Sequence, residues 1–237
     1  TVSGGATVAA GTQVTLTAAP KADCSFYGWT LDGRLVCEDA SYSFIATKDV
    51  SPMAIFGKTN EVAAKNCQTG LVYTDLAEAL SAAKSGETVM LLNNCTLGVN
   101  AVIKSGVCLY VPYSNEFSYD GFKDGTTANK TSLAADAEAF RTVTVANGVT
   151  LTVNGKLLVG GVIGYPNANS YQGHTSGAHG KIVNNGSIVV ADGAVFDCYG
   201  FVDGSGKVIA KDGAKVYEPF IVYDFSGGQN TLDLNNA

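Results

Sequence analysis

The sequence predicts an all-β protein built on a right-handed parallel β-helix, with one α-helix capping its N-terminal end and a smaller β module in front. The main observation is a repeat at residues 148–155, 186–193 and 206–213. Each segment places two glycines seven residues apart, with a largely β-branched run between them and Asn or Asp before the second glycine. The second and third segments start 20 residues apart, which indicates the length of one coil.

The chemistry of the repeat explains why a β-helix is expected. Val, Ile and Thr favour strands, and Asn-Gly or Asp-Gly turns the chain sharply. A second short apolar run follows each turn, so stacked coils would form a parallel β-helix, which is right-handed as a rule. An antiparallel sandwich is the alternative, but the aligned glycines favour the β-helix. We therefore predict that Gly155, Gly193 and Gly213 stand in one column on successive coils.

Composition fits a well-buried β protein of one or two domains. The 237 residues are 46% hydrophobic and only 15% charged, and 28 glycines supply the corners. The net charge is −6 without a Lys/Arg cluster, so nucleic acid is not an expected partner. No apolar run approaches the ~20 residues that cross a bilayer, so no membrane insertion is expected. Since the chain opens on Thr1 without a signal peptide, we interpret it as part of a longer protein.

Residues 1–57 are predicted to form a separate unit of short strands. Asp32-Gly33 lies between two apolar runs and is a strong hairpin signal. Trp29, the only tryptophan, is expected to anchor a small core, because so short a unit needs every large apolar side chain. An exposed Trp29 that stacks on sugar is the alternative. The predicted strands are residues 14–18, 24–29, 34–37, 42–46 and 53–56.

Motifs along residues 7–56 also occur in a specific order. They are Ala10-Gly-Thr-Gln-Val-Thr-Leu-Thr-Ala-Ala-Pro20, Phe26-Tyr-Gly-Trp29, Asp32-Gly33, Tyr42-Ser-Phe44 and Ala54-Ile-Phe56. This order resembles the internalin-type B-repeat, a small β-grasp-like module of surface proteins in Gram-positive and gut bacteria. That family usually has another strand ahead of the Ala10-Gly11 turn, so the unit here is either clipped or completed by Val2. The resemblance implies spacing or adhesion at a cell surface, not chemistry.

The rest of the chain divides into a connector at residues 58–68, a β-helix domain at 69–225 and a polar tail at 226–237. Two long polar excursions, at 114–139 and 160–180, interrupt the β-helix domain. Its opening Tyr73-x-Asp-Leu-x-Glu-Ala-Leu80, and its closing Asp203-Gly-Ser-Gly206 and Val216-Tyr-Glu-Pro-Phe220, resemble β-helical segments of large surface proteins of gut Firmicutes. This second resemblance implies no activity.

A helix is expected within residues 74–86. Thr74 or Asp75 can cap its start, Glu78 completes a capping box, and Gly86 ends it. We expect this helix to cover the open end of the β-helix, because an uncovered end would expose apolar side chains and strand edges. The apolar stripe that would face the core consists of Leu76, Ala79, Leu80 and Ala83.

Parallel β-helices often host polysaccharide lyases and glycosidases, so the carboxylates of the predicted β-helix domain are candidate catalytic groups. Hydrolysis of glycosides needs two carboxylates about 5–9.5 Å apart. Most candidates fall at glycine turns or before Pro219, and Asp197 stands alone on a strand, where alternation predicts a solvated outer position. We predict no catalytic residue and no enzymatic activity, and keep a polysaccharide-active enzyme as the alternative. The candidates are Asp192, Asp197, Asp203, Asp212, Glu218 and Asp224.

The excursion at residues 160–180 is the candidate ligand-binding site, through Tyr165, Tyr171, His174 and His179. The two histidines supply only two of the three or four ligands that zinc needs, so we predict no metal site and no cofactor. Rings with an apolar face and a polar edge suit sugars, which makes a glycan the expected ligand. A host or cell-surface protein and other modules of the same chain are the other expected partners.

Six cysteines are scattered without a C-x-x-C motif, which favours free thiols in the core. A Cys24–Cys37 bridge across the first hairpin is the alternative. Cys67-Gln68 does not match a thioester, because the two residues are adjacent. The predicted function is a non-enzymatic structural or adhesive fragment of a modular bacterial cell-surface protein, located outside the cell; a β-helix enzyme and a glycan-binding module remain the alternatives. The cysteines are Cys24, Cys37, Cys67, Cys95, Cys108 and Cys198.

Overall fold

The architecture is seen in a computed structural model, which describes residues 1–4, 7–112, 141–160, 180–198, 201–217 and 231–233. Strands dominate these residues, with one short α-helix, and most strands stack in parallel sheets. The predicted all-β class with a parallel β-helix and a single helix is therefore confirmed.

The N-terminal module consists of two three-stranded antiparallel sheets, ordered β1-β2-β5 and β4-β3-β6. Asp32 and Gly33 both have positive φ, at 50° and 74°, as the predicted hairpin turn requires. Val2 pairs with Ala18, so the short β1 supplies the additional strand. The strands are β1 (Val2–Ser3), β2 (Gln13–Ala18), β3 (Cys24–Leu31), β4 (Arg34–Cys37), β5 (Ser41–Ile45) and β6 (Met53–Lys58).

Trp29 is the centre of the module's core. Its side chain is fully buried, and its indole N–H donates to the carbonyl of Ala40 at 3.3 Å. The rings of Phe26 and Tyr42 lie 5.8 Å and 6.4 Å from it, centroid to centroid. The predicted anchoring role is therefore confirmed. A fully buried indole cannot stack on a sugar, so that alternative is wrong.

The next elements close the N-terminal end of the β-helix. They are β7 (Ala64–Asn66), β8 (Val72–Tyr73), α1 (Leu76–Ala82) and β9 (Thr88–Leu91). β7 lies antiparallel to both β8 and β9 in one sheet. The stretch predicted as a connector therefore contributes a strand to the β-helix, and residues 62–66 are buried.

Helix α1 packs beneath the first coil in the way the sequence predicts. Asp75 is its N-cap, and the Asp75 carboxylate accepts from the backbone N–H of Glu78 at 2.8 Å. The four residues of the predicted apolar stripe are all buried. The helix ends earlier than expected, because Ala83 is already extended and the Lys104 ammonium donates to the carbonyls of Ser81 and Ala83.

Four coils of three strands each follow, and their sides are called the first, second and third sides. The first side is β10-β13-β16-β19, the second β11-β14-β17-β20-β22, and the third runs from β9 through β12, β15 and β18 to β21. The strands are β10 (Cys95–Leu97), β11 (Ala101–Ile103), β12 (Cys108–Val111), β13 (Thr142–Val145), β14 (Thr150–Val153), β15 (Lys156–Val159), β16 (Lys181–Asn184), β17 (Ser187–Val190), β18 (Val195–Cys198), β19 (Phe201–Asp203), β20 (Lys207–Ala210), β21 (Lys215–Tyr217) and β22 (Thr231–Asp233).

The register confirms the predicted repeat. Ser187 lies opposite Lys207, 20 residues along the chain, and all pairs between successive coils are parallel. Gly155, Gly193 and Gly213 all lie at the corner between the second and third sides, so the three corners stack as predicted. Gly193 and Gly213 are in register, whereas the pairing of Lys156 with Val195 places Gly155 beside Ala194. β22 pairs in parallel with β20, so part of the segment predicted as a polar tail continues the second side.

Two of the segments that the structure does not describe are flanked by strands at one corner of the β-helix. Residues 113–140 join β12 to β13, and residues 161–179 lie between β15 and β16. Both segments therefore connect the third side to the first side, on successive coils. The described strands that flank the two predicted excursions therefore meet at the same corner.

Inward side chains fill the β-helix with apolar columns. One column on the third side contains Leu109, Leu157 and Phe196, which are register partners and are almost completely buried. Parallel stacking places like residues directly above one another, so each coil completes the core of its neighbours. Burial of these apolar surfaces is the main stabilising term of the fold.

Candidate functional site

The residues predicted to bind ligand lie outside the described part of the chain. This holds for Tyr165, Tyr171, His174 and His179, and also for the acidic candidates Glu218 and Asp224. The role assigned to the excursion at 160–180 therefore stays a prediction.

Three of the remaining carboxylates lie at corners, as their glycine contexts predict. Asp192 and Asp212 are exposed at the column between the second and third sides. Asp203 ends β19, and its carboxylate accepts from the backbone N–H of Gly204 at 2.7 Å. This hydrogen bond, assisted by the Lys181 ammonium at 3.3 Å, lowers the pKa of Asp203 below its usual range. Their turn positions therefore account for Asp192 and Asp212, and its contacts with Gly204 and Lys181 account for Asp203.

Asp197 corrects one expectation. It lies on the outer side of its strand, because Phe196 and Cys198 on either side belong to the core. The outer position is nevertheless not solvated, since Asp197 is only 6% exposed. Its carboxylate accepts a hydrogen bond at 2.7 Å from the ammonium of Lys156, which lies on the neighbouring coil. A buried carboxylate needs such a partner, and alternation along one strand does not reveal it.

The cysteines are free thiols, as the sequence favours. Cys37 lies opposite Trp29 and Cys24 lies opposite Lys58, so the alternative Cys24–Cys37 bridge is not formed. Burial raises the pKa of the Cys95 and Cys108 thiols to about 12. Since the thiolate is the reactive form, these two thiols are poor nucleophiles at neutral pH.

The Cys67-Gln68 pair is structural rather than reactive. The Gln68 side-chain oxygen accepts from the backbone N–H of Thr88 at 2.6 Å. Burial raises the pKa of the Cys67 thiol to about 11. The Gln68 amide is thus held by the backbone of β9, and the Cys67 thiol stays protonated at neutral pH.

A polar network joins the N-terminal module to the β-helix. The Lys65 ammonium, on β7, donates to a carboxylate oxygen of Glu38 in the module at 2.5 Å. The side-chain amide of Asn93 donates to the carbonyls of Thr59 and Val62 at 2.8 Å and 2.7 Å. The backbone N–H of Leu35 donates to the carbonyl of Gln68 at 2.8 Å. We call these contacts the joint.

A cleft of about 250 Å³ opens between the module and the β-helix beside the joint. Its module wall carries Tyr27 and Glu38, and its β-helix wall carries Lys65, Met90 and Pro112. The cleft combines a charged pair, an aromatic ring and apolar side chains. Sequence reasoning missed it because Glu38 and Lys65 are 27 residues apart along the chain, and no motif marks their meeting.

Among the described residues, no group of three or more His, Cys, Asp or Glu side chains could hold a metal ion. No helix in those residues has both the length and the apolar character needed to cross a membrane.

Comparison with known proteins identifies the module alone. The family model described as divergent InlB B-repeat domain matches residues 1–60. Neither the search of curated proteins nor that of solved structures found a match to the chain. The matched range ends within residues 58–68, just before β7. The N-terminal module is thus similar to the B-repeat, a non-enzymatic surface module of bacteria.

Proposed function

We propose that this chain is a non-enzymatic structural segment of a modular bacterial cell-surface protein, located outside the cell. Its β-helix would act as a stiff stalk, and the joint would hold the B-repeat in one orientation on the capped end of that stalk. The observation that carries the proposal is the joint itself, through the bonds of Lys65, Asn93 and Leu35.

The joint differs from an ordinary linker between modules. Neighbouring domains move relative to one another by default unless a substantial buried interface fixes them. Here the last strand of the module, β6, leads within a few residues into buried positions: Val62, Ala63 and Ala64 are at most 5% exposed. Gly57 also approaches the side chains of Val62 and Val72 closely. This packing supports a fixed orientation.

The described carboxylates support the absence of catalysis. Asp192, Asp203 and Asp212 are placed by turns, and Asp197 is neutralised by Lys156. An adhesive role is compatible with the same scaffold, because the described strands on either side of the predicted excursions at 114–139 and 160–180 meet at one corner. Glycan binding through residues 160–180 stays the alternative function.

Distance measurements between two spin labels test the fixed orientation. Labels introduced as non-cysteine amino acids at Thr47, in the module, and at Lys211, on an exposed corner, avoid the native thiols. A single narrow distance distribution in double electron–electron resonance is expected. A broad distribution, as two freely linked modules would give, would contradict the proposal. Turnover of pectin, alginate or host glycans by the same purified chain would contradict its non-enzymatic part.

A further inference from the structure

The cleft beside the joint contains a buried ammonium group whose surroundings are unusual. The Lys65 side chain is 6% exposed, and among the described residues the carboxylate of Glu38 is its one hydrogen-bond partner. An ammonium group has three donors, so two of them are left for another acceptor. A buried positive charge is costly without a close anion, so an anion at this position is favourable.

Glu38 is a weakly held partner for that charge. Its side chain is 71% exposed, in contrast to the buried Lys65. A long side chain at the surface keeps much of its freedom, and an exposed ion pair gains little for the exposed group. Glu38 can therefore move into solvent without a large cost if another carboxylate takes its place on Lys65.

The cleft is also lined by side chains that can form hydrogen bonds with the hydroxyls of a ligand. The hydroxyls of Ser25 and Thr59 are 2.7 Å apart, and Ser25 is also a hydrogen-bond partner of the Tyr27 side chain. The hydroxyls of Ser25 and Thr59 therefore lie close to Tyr27, which supplies both a phenol hydroxyl and an aromatic ring. Met90 and Pro112 add apolar surface. An aromatic face next to hydroxyls and a charge matches a sugar ring, which has an apolar face and a polar edge.

We propose that this cleft binds a carboxylate-bearing sugar residue of the uronic acid class. The sugar carboxylate would replace Glu38 on the Lys65 ammonium, and the ring hydroxyls would bond to Ser25 and Thr59. A volume of about 250 Å³ lies just below the roughly 300–1,000 Å³ of typical ligand sites, so the cleft fits one ring and not a long chain. The inference goes beyond the proposed structural role and does not depend on it.

Titration followed by NMR of the whole labelled chain tests the site. Sodium D-glucuronate is expected to cause saturable shifts at Lys65, Tyr27 and Ser25 at millimolar concentrations. D-glucose, which lacks the carboxylate, should bind at least about tenfold more weakly, because it forms no charge-assisted hydrogen bond. Acetate and a short peptide with a free C-terminal carboxylate separate the sources of the anion. Binding of either one as tightly as glucuronate would overturn the assignment to a sugar.

Two variants and one control make the result specific. Glu38→Gln removes the competing carboxylate and should tighten glucuronate binding several-fold, whereas Lys65→Met should abolish it. Lys156→Met removes another ion-paired lysine of the third side, outside the cleft, and should leave binding unchanged. Unchanged binding in Lys65→Met, or the absence of saturable shifts in both the parent chain and Glu38→Gln, would overturn the proposal. If Lys65→Met fails to fold, the Glu38→Gln titration decides alone.

Discussion

The two members of the Lys156–Asp197 ion pair are buried to different extents, so removing one should not cost the same as removing the other. The side chain of Asp197 is 8% exposed, whereas that of Lys156 is 34% exposed. Lysine reaches solvent through a long flexible stem, but the short carboxylate has no such route. The loss of one partner should therefore depend strongly on which one is removed.

Lys156→Ala is expected to destabilise the chain by about 3 kcal/mol, because it leaves the buried Asp197 carboxylate without its counter-ion. Asp197→Asn should cost less, about 1 kcal/mol, since the Lys156 ammonium can turn toward water. Urea denaturation at neutral pH measures both values. Lys181→Ala breaks the more exposed pair with Asp203 and serves as the control, with an expected change below ~1 kcal/mol. Equal costs for Lys156→Ala and Lys181→Ala would contradict the argument.

Individual residues were predictable wherever local sequence sets their environment. Burial of Trp29 was predicted because the module is small, and the cap of α1 was predicted to be Thr74 or Asp75, of which the structure shows Asp75. Lys65 and Asp197 were not predictable in the same way. Their partners, Glu38 and Lys156, are 27 and 41 residues away along the chain. Such contacts depend on how coils and modules stack, which no local pattern encodes.

At the scale of elements, α1 takes the place of a strand. It packs against β11 on the second side, where no coil lies below. The loop after it continues the corner column, because the backbone N–H of Gly86 donates to the carbonyl of Gly106 at 2.7 Å. The helix therefore completes an unfinished coil and covers the apolar end, as solenoid caps must.

The three glycines share one corner of the β-helix but differ in backbone conformation. Gly193 and Gly213 have φ of 69° and 76°, the left-handed region that other residues avoid. Gly155 does not have a positive φ, and its corner is narrower. A Cβ placed there would lie 2.2 Å from the carbonyl oxygen of Val107 and 2.3 Å from that of Lys104. The same residue type is required in the column for two different physical reasons.

Alanine substitutions should separate these two reasons. Gly193→Ala meets no atom within 4 Å, so it is expected to cost about 1 kcal/mol from backbone strain alone. Gly155→Ala drives a methyl group into the backbone of the coil below and should cost more than about 3 kcal/mol. Thermal unfolding followed by circular dichroism measures the difference. A Gly155→Ala variant no less stable than Gly193→Ala would show that coils separate easily at this corner.

The first side of the β-helix was the least predictable element. The glycine-bounded repeat does not include this side, and β10, β16 and β19 were not predicted. These strands are short and read as Cys-Thr-Leu, Lys-Ile-Val-Asn and Phe-Val-Asp, with one or two apolar residues each. Such runs resemble turns until stacking with neighbouring coils pairs their backbones. The repeat between glycines therefore predicted two sides of each coil, and the third side emerges only from the stacking.

At the scale of the whole molecule, the joint determines whether the chain unfolds as one unit or as two. Trp29 is the only tryptophan and lies in the module's core, so its fluorescence reports on the module alone. Far-ultraviolet circular dichroism is dominated by the strands of the β-helix. If the joint couples the two units tightly, both signals should change together in urea, as two-state unfolding requires.

Asn93→Ala is expected to uncouple them. It removes the two hydrogen bonds from the Asn93 amide to the carbonyls of Thr59 and Val62, each worth about 1 kcal/mol. The fluorescence transition should then occur at lower urea than the dichroism transition. Asn100→Ala is the matched control, because Asn100 accepts from the backbone N–H of Thr150 within the β-helix and touches no part of the joint. That variant should shift both transitions by the same amount. Coincident transitions in Asn93→Ala would show that packing at residues 62–66, and not the polar contacts, couples the module to the β-helix.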